Sequence, residues 1–248
     1  MIAQVYESSE RSNKIIQRME RSTQKETSTI TLNDALYGPD YKQSTYVALM
    51  VILFHELVGD SAILLYSTEI FKRMESYNTD GSSNMISPRT GTIIIGVFNL
   101  LAHIPAVYLI NRLPRRTLII GGHIMIAVCH LMIGLFALGD NDWGVILFMV
   151  LFIVTTVITN GPIIWLYVSE IVCDAALGLC LSLLWGVILL LSIMTYPLMA
   201  ILTPQGVFWL FGLTSLGGAW FAKANIRETM HLNDKEKKML YQPDLPIF

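Results

Sequence analysis

The sequence has few charged residues and few cysteines. Only 15% of its 248 residues are Asp, Glu, Lys or Arg, whereas soluble globular domains carry about 25%. Cys129, Cys173 and Cys180 show no Cys-x-x-Cys spacing, which argues against a disulfide framework or a zinc site. The formal net charge of -2 excludes a strongly basic nucleic-acid-binding protein.

Motifs of common enzyme classes are also missing. The sequence contains no Gly-x-Ser-x-Gly, no His-Glu-x-x-His and no phosphate-binding glycine loop. His103, His123 and His130 lie in apolar segments without an acidic residue at metal-ligand spacing. They therefore predict packing or hydrogen bonds between helices and no metal site. We expect neither an enzyme nor a bound cofactor.

Apolar residues, in contrast, make up 53% of the chain and form long runs. A helix needs about 20 apolar residues to cross about 30 Å of hydrocarbon. Six segments approach or exceed this length, and they are apolar on every face, which is typical of helices rather than alternating strands. The segments are 45–71, 91–111, 117–138, 144–168, 177–202 and 206–224.

These segments predict an all-α membrane protein with six transmembrane helices between residues 45 and 226. A polar segment, 1–44, precedes them and a polar tail, 227–248, follows. Of the 17 Lys and Arg residues, 14 fall on one side, which comprises these two polar segments, the adjoining Lys223 and the turn near Arg112, and three fall on the opposite side. Because positive residues concentrate on the cytoplasmic side, both termini are expected there. The pattern does not distinguish the plasma membrane from a vesicle membrane.

Four short motifs follow one another along this apolar region. They are His-Glu-Leu-Val-Gly-Asp-Ser-Ala at 55–62, Asn-Arg-Leu-Pro-Arg-Arg-Thr at 111–117, Asn-Gly-Pro-Ile-Ile-Trp at 160–165 with Ser-Glu at 169–170 after it, and Arg-Glu-Thr at 227–229. In this order they resemble the C-terminal half of a sugar porter, of the facilitative glucose transporter type, in the major facilitator superfamily. The resemblance implies one half of that fold and alternating-access transport of a sugar or similar small polar solute.

Five residues occupy positions that the resemblance assigns to substrate binding. His55 and Glu56 stand where the family has two glutamines, and Ser61 stands where it has an asparagine. Asn99 falls where the family keeps a sugar-contacting asparagine. Trp165 matches the tryptophan of the third motif, where its ring could lie against the apolar face of a sugar. A polar network or packing between helices remains the alternative for these side chains.

The Gly161-Pro162 pair lies inside an apolar segment. Proline removes a backbone donor and clashes with the preceding turn, and glycine lowers the resistance to bending. Transporters bind substrate where helices are interrupted at membrane depth. We therefore predict a helix break at Gly161 and Pro162, with packing alone as the alternative.

Two carboxylates and a histidine lie close together in the first apolar segment. Glu56 and Asp60 are four residues apart and are expected to share one helix face. Carboxylates in a membrane are costly unless protonated, paired or hydrated, and histidine titrates near neutral pH. His55, Glu56 and Asp60 are therefore candidates for proton coupling; a network without a transport role is the alternative.

Charged residues of three motifs form a further expected group. Arg112, Arg115 and Arg116 are expected to pair with Glu170 and Glu228 at the cytoplasmic face. The resemblance implies that such a charge cluster latches one conformation of the transporter. Simple anchoring of positive residues on the cytoplasmic side is the alternative.

The predicted helix count is half that of the transporters the motifs resemble. Alternating access rocks two six-helix halves around a central site, so a second half, from another chain or a second copy, is expected as a partner. Segment 1–44 resembles the remainder of the linker between halves. The other expected partners are a small-molecule substrate and the lipid bilayer, with no nucleic acid. The alternatives are a non-transporting membrane interaction or sensor protein and an inactive fragment.

Overall fold

A computed structural model describes residues 30–64, 67–68, 72, 87–139 and 141–243. Residues 1–29 and 244–248, parts of the two predicted polar segments, lie outside these ranges. The secondary structure elements within them are helices. Two are short, Leu32–Tyr37 and Asp234–Met239; the others are Lys42–Glu56, Pro88–Ile110, Arg115–Leu138, Asp142–Thr155, the π-helical turn Thr156–Asn160, Gly161–Ile171 and Asp174–Asn225.

Five stretches of the described chain are long and apolar enough to cross a membrane. We call the first four the first to fourth spans and the last the long helix. Their bounds are Lys42–Leu64, Arg89–Ile110, Arg115–Leu138, Trp143–Ile171 and Asp174–Asn225. The chain is therefore an all-helical, multi-pass membrane protein.

The long helix accounts for the difference between six predicted segments and five spans. It has 52 residues, and at 1.5 Å per residue it would be about 78 Å long, more than twice the hydrocarbon thickness. Thr203 interrupts it with φ 64° and ψ 162°. The following Pro204 disfavours helical dihedrals at Thr203. The predicted segments 177–202 and 206–224 lie on either side of this kink.

The connections follow local sequence signals. Pro114 precedes the third span, where its missing N–H costs nothing because the first N–H groups of a helix are unpaired. The side chains of Thr31 and Asn233 cap the two short helices in reciprocal capping boxes. One short helix precedes the spans in the chain and the other follows them, and Ala35 and Leu240 bring both to the same group of buried side chains.

The third span lies at the centre of the packing. It contacts the fourth span and, most extensively, the long helix. The buried side chains form two groups. The first includes Val58, Ile126 and Phe211 and is called the break-side core, because Val58 adjoins a break in the first span at Gly59. The second includes Tyr167 and Tyr241 and is called the tail-side core, because Tyr241 belongs to the C-terminal tail. The second span is largely exposed, and its apolar side chains provide a surface compatible with lipid.

Candidate functional site

The first span is interrupted at Gly59, towards the C-terminal end of its described range. The regular helix ends at Glu56, and helical structure resumes at Asp60. Gly59 has φ 81°, a left-handed conformation that side chains with a Cβ rarely adopt. A Cβ at Gly59 would also lie 2.5 Å from the ring of Phe211. Both backbone conformation and packing therefore require glycine here.

This interruption corrects the expectation of one continuous helix over 45–71. Glu56 and Asp60 do not share the face of a regular helix, because the left-handed Gly59 lies between them. The break frees two backbone carbonyls, and distant side chains bind both. Thr214 Oγ1 donates to the Leu57 oxygen at 2.6 Å, and His130 Nε2 lies 2.9 Å from the Val58 oxygen. Such partners are required because unpaired backbone groups are costly in hydrocarbon.

Four of the predicted site residues gather around this break. The Ser61 hydroxyl lies 3.3 Å from Glu56 Oε2 and 3.4 Å from Asp60 Oδ1. Asp60 Oδ1 also accepts the Ser61 backbone N–H at 2.7 Å. His55 Nε2 lies 3.8 Å from Glu56 Oε1, and both side chains are buried. Ser61, rather than helical stacking, connects the two carboxylates.

The fourth span has its own irregular segment, the π-helical turn Thr156–Asn160. The Gly161 N–H donates to the Thr156 oxygen, five residues earlier, and Pro162 has no N–H to donate. The span is not broken here, since helix Gly161–Ile171 continues directly from the turn. The irregularity predicted at Gly161 and Pro162 therefore takes the form of a widened turn just before them.

The remaining predicted substrate residues lie elsewhere. Asn99 is half-buried in the second span, and its carbonyl oxygen lies 2.8 Å from His103 Nδ1. Trp165 is half-buried and packs against the tail-side core. Among the described residues, no group of three or more His, Cys, Asp or Glu side chains is arranged to hold a metal ion.

The charged residues of the second to fourth motifs come together at one end of the spans. Glu170 lies 3.7 Å from the Arg115 guanidinium and 2.9 Å from Lys237 Nζ. Its other oxygen accepts from Thr229 Oγ1 at 2.5 Å. The hydrogen bond to Glu170 raises the pKa of Lys237. Arg115 and Glu170 are predicted members of this cluster. Lys237 and Thr229, which lie in the polar tail, were not predicted to join it, although Thr229 belongs to the fourth motif.

Glu228 binds backbone rather than guanidinium groups. Its two oxygens accept the N–H groups of Arg115 and Arg116, each at 3.0 Å. Glu228 Oε1 also accepts the N–H groups of Thr229 and Met230. The carboxylate thus lies at the N-terminus of the third span, where unpaired N–H groups and the helix dipole favour a negative charge.

The other two predicted arginines have different partners. Arg116 donates from Nη2 to the Lys223 carbonyl oxygen at 2.8 Å, near the end of the long helix. The Arg112 guanidinium lies over the ring of Tyr108, 5.3 Å from its centre. Of the three arginine side chains, that of Arg115 lies beside one glutamate, Glu170, whereas those of Arg112 and Arg116 contact an aromatic ring and a carbonyl oxygen.

The C-terminal segment is anchored to the same end of the spans. The hydroxyls of Tyr167 and Tyr241 lie 2.6 Å apart, and Tyr241 donates to the Asn225 carbonyl at 2.8 Å. Burial raises the pKa of Tyr241. Lys238 Nζ donates to the Ser169 carbonyl at 2.9 Å and to the Val172 carbonyl. No sequence pattern singled out Tyr241, because its partners are distant in the chain.

The arrangement of interrupted, tightly packed spans is that of a major facilitator superfamily half. The fold is similar to the inward-open xylose transporter XylE of Escherichia coli, with a TM-score of 0.67 and 22% identity over 80% of this chain and 42% of that chain. It is also similar to the proton:xylose symporter XylE bound to 6-bromo-6-deoxy-D-glucose, with a TM-score of 0.67 and 25% identity.

Sequence comparison gives the family. The profile described as "Sugar (and other) transporter" matches residues 1–237, and the chain belongs to this family. It is 25% identical over 239 residues to the facilitated trehalose transporter Tret1 of Anopheles gambiae, covering 91% of this chain and 29% of that protein. It is 30% identical over 165 residues to facilitated glucose transporter member 2 of Gallus gallus.

The chain thus spans less than half the length of these relatives. It belongs to a family of transporters rather than of enzymes. The all-α membrane fold predicted from the apolar segments and the family predicted from the four motifs are confirmed, while the count of six spans stays a prediction. The inter-helix hydrogen bonding expected for His123 and His130 is also confirmed, whereas His103 bonds within its own helix.

Proposed function

We propose that this chain is one half of a sugar porter, which transports a sugar or similar small polar solute together with a second six-helix half. Family membership and the buried polar group around Gly59 support this proposal. The helix break at Gly59 lies beside His55, Glu56 and Ser61. In transporters, substrate sites are typically formed by helices that are interrupted in this way. Asn99 and Trp165 complete the proposed substrate contacts from the second and fourth spans.

The proposal is tested by reconstituting the full chain into liposomes at a high protein-to-lipid ratio, so that two copies can associate. We expect saturable uptake of at least one labelled sugar among xylose, glucose and trehalose. A correctly folded chain that carries none of them would contradict transport by this chain alone or as a pair. Such a result would support a membrane protein without transport activity of its own.

Proton coupling by His55, Glu56 and Asp60 is part of the same proposal. A carboxylate buried at membrane depth can exchange a proton as access alternates, because the charged form is costly there. We expect Glu56→Gln and Asp60→Asn to abolish the acceleration of uptake by an inward proton gradient while leaving downhill uptake measurable. The matched control is Asp174→Asn, an exposed carboxylate at the start of the long helix. Unchanged pH dependence of uptake in both variants would contradict the proposed proton coupling.

We place both termini in the cytoplasm, and the charge cluster of Arg115, Glu170, Glu228 and Lys237 with them. The excess of Lys and Arg in the terminal segments supports this orientation. In right-side-out vesicles, epitope tags at the N- and C-termini are expected to resist protease, and in inside-out vesicles both should be cleaved. Cleavage of either tag in right-side-out vesicles would contradict the orientation. At that face, the cluster would latch one conformation by joining the third span, the fourth span and the tail.

A further inference from the structure

The third span carries two buried histidines, and each contacts a different irregular segment. His123 and His130 are seven residues apart, which is about two helical turns, so they lie near one face. His130 contacts the break in the first span through the Val58 carbonyl. His123 contacts the π-helical turn of the fourth span through the Asn160 side chain, at 3.0 Å. Neither contact belongs to the proposed substrate or proton groups.

The hydrogen-bonding role of His130 follows from its partner. A carbonyl oxygen only accepts, so Nε2 carries the proton and donates to Val58. The imidazole lies against the ring of Phe152, with centres 4.6 Å apart, and near Phe208 and Phe211, each at 6.0 Å. These rings hold the imidazole in place. Phe211 also occupies the space beside Gly59, so the same surroundings support both the break and the histidine.

The His123 contact has an equally well-defined environment. Its Nδ1 lies 2.9 Å from the Ile119 carbonyl oxygen and therefore carries a proton. The end of the Asn160 side-chain amide lies 3.0 Å from the same Nδ1. Because this N–H can only donate, we assign the amide oxygen of Asn160 as the atom that faces it. Gly122 and Gly218 leave space for these two side chains. A Cβ at Gly122 would lie 2.5 Å from the end of the Asn160 amide, and one at Gly218 would lie 2.6 Å from His123 Nε2.

We propose that His123 and His130 are positioning residues that tie the two irregular segments to the third span. His130 holds the Glu56–Ser61 side of the proposed site, and His123 holds the side formed by Gly161, Pro162 and Trp165. The third span then sets how the two sides are placed relative to each other. The tethering itself rests on the observed contacts, while its consequence for transport rests on the proposed function.

Hydrogen exchange of the full chain in lipid nanodiscs tests the tethering without requiring transport. With His130→Leu, we expect peptides covering 57–64 to exchange about three- to tenfold faster, as loss of one inter-helix hydrogen bond predicts. Peptides covering 156–165 should be unchanged. With His123→Leu, we expect faster exchange in peptides covering 156–165 and no change in peptides covering 57–64. His130→Gln should restore protection at 57–64, because its amide N–H can reach the same carbonyl.

The matched control is His103→Leu, which removes a histidine that bonds only within its own helix. A second pair of variants covers the case in which His130→Leu does not fold. Thr214→Val removes the donor to the neighbouring Leu57 carbonyl, and we expect faster exchange at 57–64. Thr195→Val is its control, since the Thr195 hydroxyl donates only to Leu191 in the same helix.

Equal acceleration in all peptides, or the same effect from His103→Leu, would overturn the proposal and reduce both histidines to packing residues. If the chain transports sugar, His130→Leu should raise KM more than it lowers the maximal rate, and His130→Gln should recover KM. If the chain shows the crossed exchange pattern but carries no sugar, the tethering stands and the transport function fails.

Discussion

Gly59→Ala is expected to destabilise the protein by about 2–5 kcal/mol. A left-handed backbone costs about 1–2 kcal/mol for a residue with a Cβ, and forcing a methyl group into a filled core costs about 1–3 kcal/mol. Both apply here, because φ is 81° and the Phe211 ring lies 2.5 Å from the Cβ position. The measurement is the midpoint of thermal unfolding in detergent, with an expected fall of roughly 5–15 °C.

The control is Gly96→Ala, at a helical position with no atom within 4 Å of the added Cβ. This change should be neutral or slightly stabilising, because alanine favours helix more than glycine does. Adding Phe211→Leu to Gly59→Ala should recover only part of the lost stability, because the cost of a left-handed backbone conformation at alanine remains. A Gly59→Ala protein as stable as the wild type would show that the first span is not interrupted at this residue.

Removing the Glu228 carboxylate is expected to release the tail from the spans. In Glu228→Ala, four backbone N–H groups lose their acceptor: those of Arg115, Arg116, Thr229 and Met230. Hydrogen bonds to charged groups contribute about 1.5–3 kcal/mol. We therefore expect at least tenfold faster tryptic cleavage in the C-terminal helix Asp234–Met239. The cleavage rate is measured by gel electrophoresis or mass spectrometry.

Glu228→Gln separates the role of charge from that of shape. Its amide keeps one accepting oxygen but turns a donor toward N–H groups, so cleavage should be intermediate. The control, Asp174→Asn, changes an exposed carboxylate at the start of the long helix and should leave the rate nearly unchanged. If Glu228→Ala resists trypsin as well as the wild type does, Tyr241, Lys237 and Lys238 suffice to hold the tail.

Much of the fold was predictable because its signals are local. Long apolar runs predicted the spans. The motif at 227–229 indicated that Glu228 is important, because this motif follows the other three in the order and at the distance typical of the family. The kink at Thr203 also fell between two predicted segments, since Pro204 acts on the residue directly before it.

The break in the first span was not predictable in the same way. A glycine inside an apolar run is compatible with a continuous helix, and the spacing of Glu56 and Asp60 favoured one. The partners of the freed carbonyls are Thr214, 157 residues from Leu57, and His130, 72 residues from Val58. Similarly, Gly161-Pro162 predicted an irregular helix, but not that the irregularity would be a π-helical turn packed on Gly122.

The sequence by itself determined that the chain enters the membrane as helices. Long runs of apolar side chains favour transfer from water into lipid, and a helix pairs its own backbone N–H and C=O groups within each run. The sequence also carried the family motifs in order. Only the tertiary structure decided where the helices are interrupted and which polar groups meet. A freed carbonyl in hydrocarbon must find a donor, and here the donors come from helices that are distant in the chain and adjacent only after folding.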